Sequence, residues 1–273
     1  MDLHKKQKIE RIRMPDKPYT TQNNAFCFLS GDRQPQKTAG NGLLGKIQEA
    51  IKHYGRLYYL LLHVFAPVMP SRQYIRCFRS EVDAYGKEAV VLNLGSGPHH
   101  VGGRTDIINV DLYAFPEADI VADATNLPIQ SDSVDFIINT AMLEHVQTPE
   151  KIINEMHRVL KAGGGFICYV PFMAPFHAAP HDFHRWTIEG AKNYFSIFQN
   201  TKTGIGAGPT SGMLWTLQQW LAIAFSFGSK TLHDILFLLL MVITAPIKLL
   251  DLLLVYFPNA EKIASGFFIT GRK

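Results

Sequence analysis

Short apolar runs punctuated by turn residues dominate the middle of this chain. Residues 90–94, 106–111, 120–122, 133–139 and 166–171 are rich in Val, Ile, Leu and Phe and are bounded by Gly, Pro, Ser or Asp, the pattern of parallel strands buried on both faces. Residues 43–65 have a different rhythm. Leu44, Ile47, Ile51, Tyr54, Tyr58, Leu61 and Phe65 recur at three-and-four spacing, which predicts a helix ended by Pro67 and Pro70. A second helix is expected over residues 72–85. A third starts at Thr148-Pro149-Glu150, with a capping hydroxyl, a first-turn proline and an early acid. It buries Ile152, Ile153, Met156, Val159 and Leu160 and stops at Lys161 and Gly163 to Gly165. Strand and helix alternating over residues 89–171 predict a parallel, right-handed βαβ sheet.

The chemistry enters at the strand ends. Val90 to Leu94 runs into Gly95-Ser96-Gly97, and only glycine lets a backbone approach a ligand so closely at the carboxyl edge of a strand. Asp111 closes the next run and can accept two ribose hydroxyls. Asp123 comes after the third. A dinucleotide fingerprint would place a third glycine at position 100, where this chain has His100 after Pro98 and His99, so a pyrophosphate cradle is disfavoured.

These motifs, in this order, resemble the class I S-adenosylmethionine-dependent methyltransferases of the small-molecule type, over residues 89–207 and 265–273. The resemblance implies an α/β fold with a Rossmann-like, seven-stranded, mostly parallel sheet and an antiparallel last strand formed by residues 265–273, beside a sixth near 198–206. It implies S-adenosyl-L-methionine as cofactor, with contacts at Asn93, Gly95, Ser96, Gly97, Asp111, Leu112, Asp123, Ala124 and Asn139. Asp111 would bind the ribose and Asp123 face the adenine amine. Asn93 departs from the family, which commonly has an acid there; an amide can hydrogen-bond but cannot neutralise the cofactor's ammonium.

The acceptor pocket should be built by the segments after the fourth and fifth strands. Leu143-Glu144-His145 matches a family stretch near the transferred methyl. Residues 172–186 gather His177, His181, Asp182, His184 and Arg185 among aromatics and prolines. We expect His181 and Asp182, with His145, to serve as base and orienter. Glu144, His177, His184 and Arg185 would hold the substrate. A purely structural loop pinned by Asp182 and Arg185 remains open. No metal site is expected, because the spacing of histidines 177, 181 and 184 fits no specific ligand pattern.

Between the last two strands stands an insertion of about fifty residues, long for a plain loop. Residues 213–227 and 235–257 are strongly apolar, but Gln218, Gln219, Pro246, Lys248 and Asp251 interrupt them. A crossing takes roughly twenty apolar residues, and charges within it are costly. A hairpin dipping into one leaflet is therefore favoured over two crossings or a soluble lid.

The expected organisation is a basic tail and irregular linker over 1–42, helices over 43–88, a methyltransferase domain over 89–208 plus 265–273, and the apolar insertion over 209–264. Composition refines this only modestly. Three cysteines in 273 residues make no disulfide frame and suit a reducing cytoplasm, and residues 1–17 carry no apolar signal stretch. The net charge of +4 is concentrated in Lys5, Lys6, Lys8, Arg11, Arg13 and Lys17, a tail expected to be solvated or to face anionic lipid. No nucleic-acid partner is expected, since no aromatics interleave with it. The reading is a methyltransferase for a small-molecule or lipid-linked acceptor, peripheral or monotopic on the cytoplasmic face of a membrane. The alternatives are a soluble glycan or natural-product methyltransferase with a lid, a non-catalytic membrane adaptor, and, more weakly, a dehydrogenase. The oligomeric state is left open.

Overall fold

A computed structural model describes residues 1–29, 61, 64–98, 100–178 and 180–273. The helix expected over 43–65 lies almost wholly outside the described residues, as does His99. The strands are β1 (Thr20–Gln22), β2 (Ala25–Cys27), β3 (Val91–Leu94), β4 (Ile108–Asp111), β5 (Ile120–Val121), β6 (Val134–Thr140), β7 (Leu160–Pro171), β8 (Gln199–Ala207) and β9 (Gly266–Arg272). The helices are α1 (Leu3–Ile12), α2 (Arg72–Asp83), α3 (Pro149–Val159), α4 (Ile188–Tyr194), α5 (Pro209–Phe225), α6 (Lys230–Thr244) and α7 (Asp251–Leu254).

All strands form one sheet in the order β1-β2-β5-β4-β3-β6-β7-β9-β8. From β2 to β7 the pairings are parallel, and β9 inserts antiparallel between β7 and β8. The expected seven strands are present with their antiparallel member, and the sheet is wider by a hairpin. Residues 20–27, read from sequence as irregular linker, form β1 and β2, and Phe26 and Cys27 extend the sheet beside β5. The basic opening also differs from a solvated tail. It is helix α1, capped by Asp2, and it buries Ile9 and Ile12. Lys5 makes a 2.9 Å ion pair with Asp119, both almost fully covered. Polar count alone hides this, because a lysine stem packs on apolar surface while its ammonium finds one buried carboxylate.

The expected alternation of strand and helix fails over the first half of the sheet. Among the described residues, no helix separates β3 from β4, β4 from β5 or β5 from β6. Pro98, Gly102, Gly103, Pro116 and Pro128 break those links, and Gly102 and Gly103 sit at positive φ. The uncovered face is closed instead by α2, which enters from before the sheet. Ser71 caps it, accepting from the Tyr74 amide at 3.0 Å and donating to the Ile205 carbonyl at 2.5 Å. Tyr74 and Val82 pack on Val91, Phe136, Ile138, Ile167 and Phe268.

The larger core lies on the opposite face, where Ile152, Ile153, Met156 and Val159 of α3 meet Leu92, Leu94, Ile137 and Phe166. Alternate residues of β3 therefore face different cores, as the two-residue strand period requires. Helix α3 starts and stops where expected, but the Thr148 hydroxyl makes no capping bond; Pro149 supplies the start.

Candidate active site

The turn after β3 is shaped by glycine. Gly95 and Gly97 adopt φ of 71° and 55°, and a Cβ on Gly95 would collide with the Met142 side chain. Asp111, at the end of β4, holds the turn from below. Its carboxylate accepts from the Gly97 amide at 2.8 Å and from the Tyr113 amide at 2.9 Å. Burial pushes the Asp111 carboxyl above its usual range, and the amides of Tyr113, Gly97 and Leu112 offset this only in part. Asp123 is exposed beyond β5 and accepts from the Thr125 amide and hydroxyl. Leu112 and Ala124 are half-buried beside the two acids.

Asn93 faces its register partner Asn109 across β3 and β4, donating to its Oδ1 at 3.1 Å. This amide pair occupies the position where the family commonly has an acid. Asn139 is fully buried, donating to the Leu94 carbonyl at 3.3 Å and accepting from the Cys168 thiol at 3.4 Å. It braces the turn from the neighbouring strand.

Above the turn opens a cavity of about 980 Å³, lined by Asn93, Gly95, Ser96 and Gly97 on one side and by Tyr74, Ile75, Phe78 and Arg79 of α2 on the other. Thr140 closes its end, 3.4 Å from the Tyr74 hydroxyl. Burial pushes the Tyr74 phenol up to about 12, so it remains a neutral hydrogen-bonding group at physiological pH. The next residue after Thr140, Ala141, adopts φ of 50°, strain of the kind that concentrates at functional sites.

The His-rich segment divides into two sets. Asp182 is consumed by structure. Its side chain is 1% exposed and takes Arg185 at 2.5 and 2.7 Å and the His177 amide at 2.8 Å. Arg185 also donates to the carbonyls of Ala174, Pro175 and His184. Together they tie Ala174, Pro175 and His177 to Asp182, His184 and Arg185. The His181 ring is exposed and lies against Phe183, while its carbonyl meets His145 Nδ1 at 2.5 Å. His184 reaches the Gln147 carbonyl at 3.4 Å.

The second set converges at the ends of β6 and β7. Glu144 is wholly buried, and His145 Nε2 and His177 Nε2 lie 3.9 and 3.8 Å from its Oε1. Burial alone would lower the His177 imidazole, but Glu144, the Pro175 carbonyl and Asp182 outweigh it and raise it above its usual value. Trp215 of α5 packs its ring on His177 at 5.2 Å, so the insertion touches this cluster directly.

Removing Asp182 leaves the Arg185 guanidinium and the His177 amide without their shared partner. We expect Asp182→Ala to cost about 2–3 kcal/mol in chemical denaturation, the scale for charged hydrogen bonds in a partly covered pair. The pH dependence has a definite sign. Burial raises the Asp182 carboxyl, but Arg185 and the His177 amide together hold it down at about 2. A depressed carboxyl contributes stability that is present above its unfolded value of about 3.9 and lost as pH falls towards 2. The variant should show a shallower loss of stability between those limits.

Thr140 and Met142 fall in the segment after the fourth strand expected to build the pocket, whereas Tyr74, Phe78, Arg79 and Trp215 carry no signal in the sequence. A helix ahead of the sheet folding back over the glycine turn leaves no local motif, and neither does a methionine set against a glycine.

Residues 105–168 match the family described as methyltransferase domain, a segment running from just before β4 into β7. No curated protein matches the chain. Solved structures similar to it include the phosphoethanolamine N-methyltransferase 2 of Haemonchus contortus, in complex with phosphomonomethylethanolamine and S-adenosylhomocysteine (14% identity, 74% of this chain and 52% of that one, TM-score 0.43). The chain thus spans about half of that protein. A possible histamine N-methyltransferase from Thermotoga maritima is 15% identical (83% of this chain, 98% of that one, TM-score 0.43). The 1,6-didemethyltoxoflavin N1-methyltransferase of Burkholderia thailandensis is 13% identical (90% of this chain, 92% of that one, TM-score 0.43). The match over residues 105–168 is to a methyltransferase domain, and it lies on a mostly parallel sheet beside the Asp111-braced glycine turn.

Proposed function

We propose that the protein transfers a methyl group from S-adenosylmethionine to an oxygen of an amphiphilic acceptor, taken from one leaflet of a membrane at its cytoplasmic face. The observation that carries this is the cavity above the glycine turn. At about 980 Å³ it stands at the upper end of small-molecule sites, roughly 300–1,000 Å³, with room beside the cofactor's methionine end for a second molecule. Its wall on α2 is largely apolar, with Arg79 able to meet an anionic group. In an in-line displacement the sulfonium–methyl bond breaks as the bond to the acceptor oxygen forms, leaving S-adenosylhomocysteine. The acceptor's proton passes to a general base, for which His145 and His177 are the candidates, or to water.

Within the His-rich segment the roles expected from sequence shift. Asp182 and Arg185 position the segment, and the His181 ring points at Phe183, so Glu144, His145 and His177 are the better candidates for meeting the acceptor.

The insertion supports the membrane side of the proposal. Lys230–Leu254 is long and apolar enough to cross a bilayer, with only 17% of its most apolar window buried, unlike a core helix. The charges that argued against insertion are turned inward. The Asp251 carboxylate accepts from the amides of Thr210 and Ser211, capping α5, and Lys248 donates to the Ala66 carbonyl at 2.8 Å. Outward stand Trp220, Ile223, Phe225, Phe227, Leu239, Ile243 and Leu253, each more than half exposed. Helices α5 and α6 pack as a pair, tied by Gln218 to Thr244 at 2.7 Å, and the turn Ala245–Leu250 breaks the second. A hairpin with its polar groups inside and its apolar face out fits shallow burial in one leaflet.

The test is a methyl-transfer assay with labelled cofactor against membrane lipid extracts and water-soluble metabolites. Label in a chloroform-soluble product supports the proposal. Label only in soluble products would replace it with the lid reading, and no label in any product from cofactor-bound protein would favour the adaptor.

A further inference from the structure

We propose that Glu144, His145 and His177 form a binding site for one divalent transition-metal cation, held by Glu144 Oε1 and the Nε2 atoms of both histidines. Three ligand atoms of these residues lie within 4.8 Å of one another. The decisive point is which atoms carry protons. His145 Nδ1 faces the His181 carbonyl at 2.5 Å and His177 Nδ1 faces the Pro175 carbonyl at 2.8 Å. A carbonyl only accepts, so a hydrogen on each Nδ1 leaves Nε2 of the neutral ring as a lone pair, the form a cation would select; His177 Nδ1 also lies 3.2 Å from the Arg185 guanidinium and 3.6 Å from Asp182. Both Nε2 atoms lie within 4 Å of Oε1 of Glu144. Its two oxygens are buried and have no hydrogen-bond partner among the described residues.

With both rings neutral, three acceptors gather around one point. A buried carboxylate left without a donor is unfavourable, and a cation at that point would relieve it. The separations of 3.8 and 3.9 Å are too long for hydrogen bonds. They suit two bonds of about 2.1 Å opening at a wide angle, which span roughly 3.4–4.2 Å. Backbone carbonyls on the far ring nitrogens are the usual outer support of metal-binding histidines. Two imidazoles and one carboxylate select zinc, manganese or iron(II) over calcium or magnesium and leave coordination positions open. The sequence conceals the set, because His177 comes from the loop after β7 while Glu144 and His145 sit at the end of β6. The Asp182–Arg185 lock, which also binds the His177 amide, brings them together. That an open position receives the acceptor oxygen rests on the function proposed above; binding of the cation does not.

Full-length protein, stripped with chelator and repurified in detergent, would be titrated with Zn²⁺ by calorimetry and with Co²⁺ by visible absorption. We expect one cation per chain, with Co²⁺ bands typical of nitrogen and oxygen ligands. Glu144→Gln and His177→Ala should each weaken binding by at least about 100-fold. His233→Ala, on the insertion, should bind as the unaltered chain does. S-adenosylhomocysteine binding serves as the folding control. Should Glu144→Gln lose that too, His145→Ala takes its place. Absence of stoichiometric binding by folded protein, or binding unchanged in all three site variants, overturns the proposal, and neither result touches the methyl-transfer reading.

Discussion

Replacing Asp111 with Ala is expected to weaken S-adenosylhomocysteine binding by about 10- to 100-fold. Two effects combine. In the proposed function the carboxylate accepts both ribose hydroxyls, and hydrogen bonds to a charged group are worth roughly 1.5–3 kcal/mol each before compensation by water. It also anchors the Gly97 amide, so its loss frees a turn whose positive φ is otherwise fixed. Asp111→Asn separates the two. It can still accept from the turn but lacks the charge, and an intermediate loss is expected. Calorimetric titration of both variants checks this, and binding by Asp111→Ala equal to that of the unaltered chain would remove Asp111 from the ribose.

The second large effect concerns the insertion. Leu239 and Val242 of α6 are 52% and 51% exposed, so lysines there meet no core and should leave stability unchanged. On a hairpin buried in a leaflet the same change is severe. A lysine costs about 2.5–3.5 kcal/mol at a bilayer centre, and roughly 1–1.5 kcal/mol each is reasonable at shallow depth. The Leu239→Lys, Val242→Lys double variant should therefore partition into lipid vesicles about 30- to 150-fold less well. Vesicle flotation reads this directly. Equal flotation of both proteins, or failure of the unaltered chain to float, would count against leaflet insertion.

How far the sequence can be read depends on how locally each feature is encoded. The strand ends at Gly95, Asp111 and Asp123 are legible because a buried parallel strand and its turn occupy adjacent residues. The last strand is legible for the same reason, its apolar run closing the chain at residues 265–273. The lack of helices among the described residues between β3 and β6 is not, although Pro98, Gly102 and Gly103 stand in view. Strand spacing alone satisfies the βαβ pattern, and it is the composition of the links that forbids their being helical. Helix α1 escapes notice because Lys5 and Lys8 read as solvated until Asp119 and the carbonyls of Lys87 and Ala89 supply their partners.

The His-rich segment shows the same limit at the site. Residue types suggest polar chemistry between residues 177 and 185, but only the fold sorts them. It turns Asp182 and Arg185 on each other, sends the His181 ring outward, and sets His177 against Glu144 and Trp215. The inward turn of Lys248 and Asp251 is equally invisible, since hydropathy counts a charge without its partner.

Thermal denaturation of the purified protein in detergent tests the cofactor, the central claim, most directly. With S-adenosylhomocysteine at a hundred times its dissociation constant, stabilisation of about 2.7 kcal/mol is expected, and none with NAD or NADP. Stabilisation by a dinucleotide, or no response to the adenosyl sulfur compounds from protein with a cooperative melting transition, would contradict it.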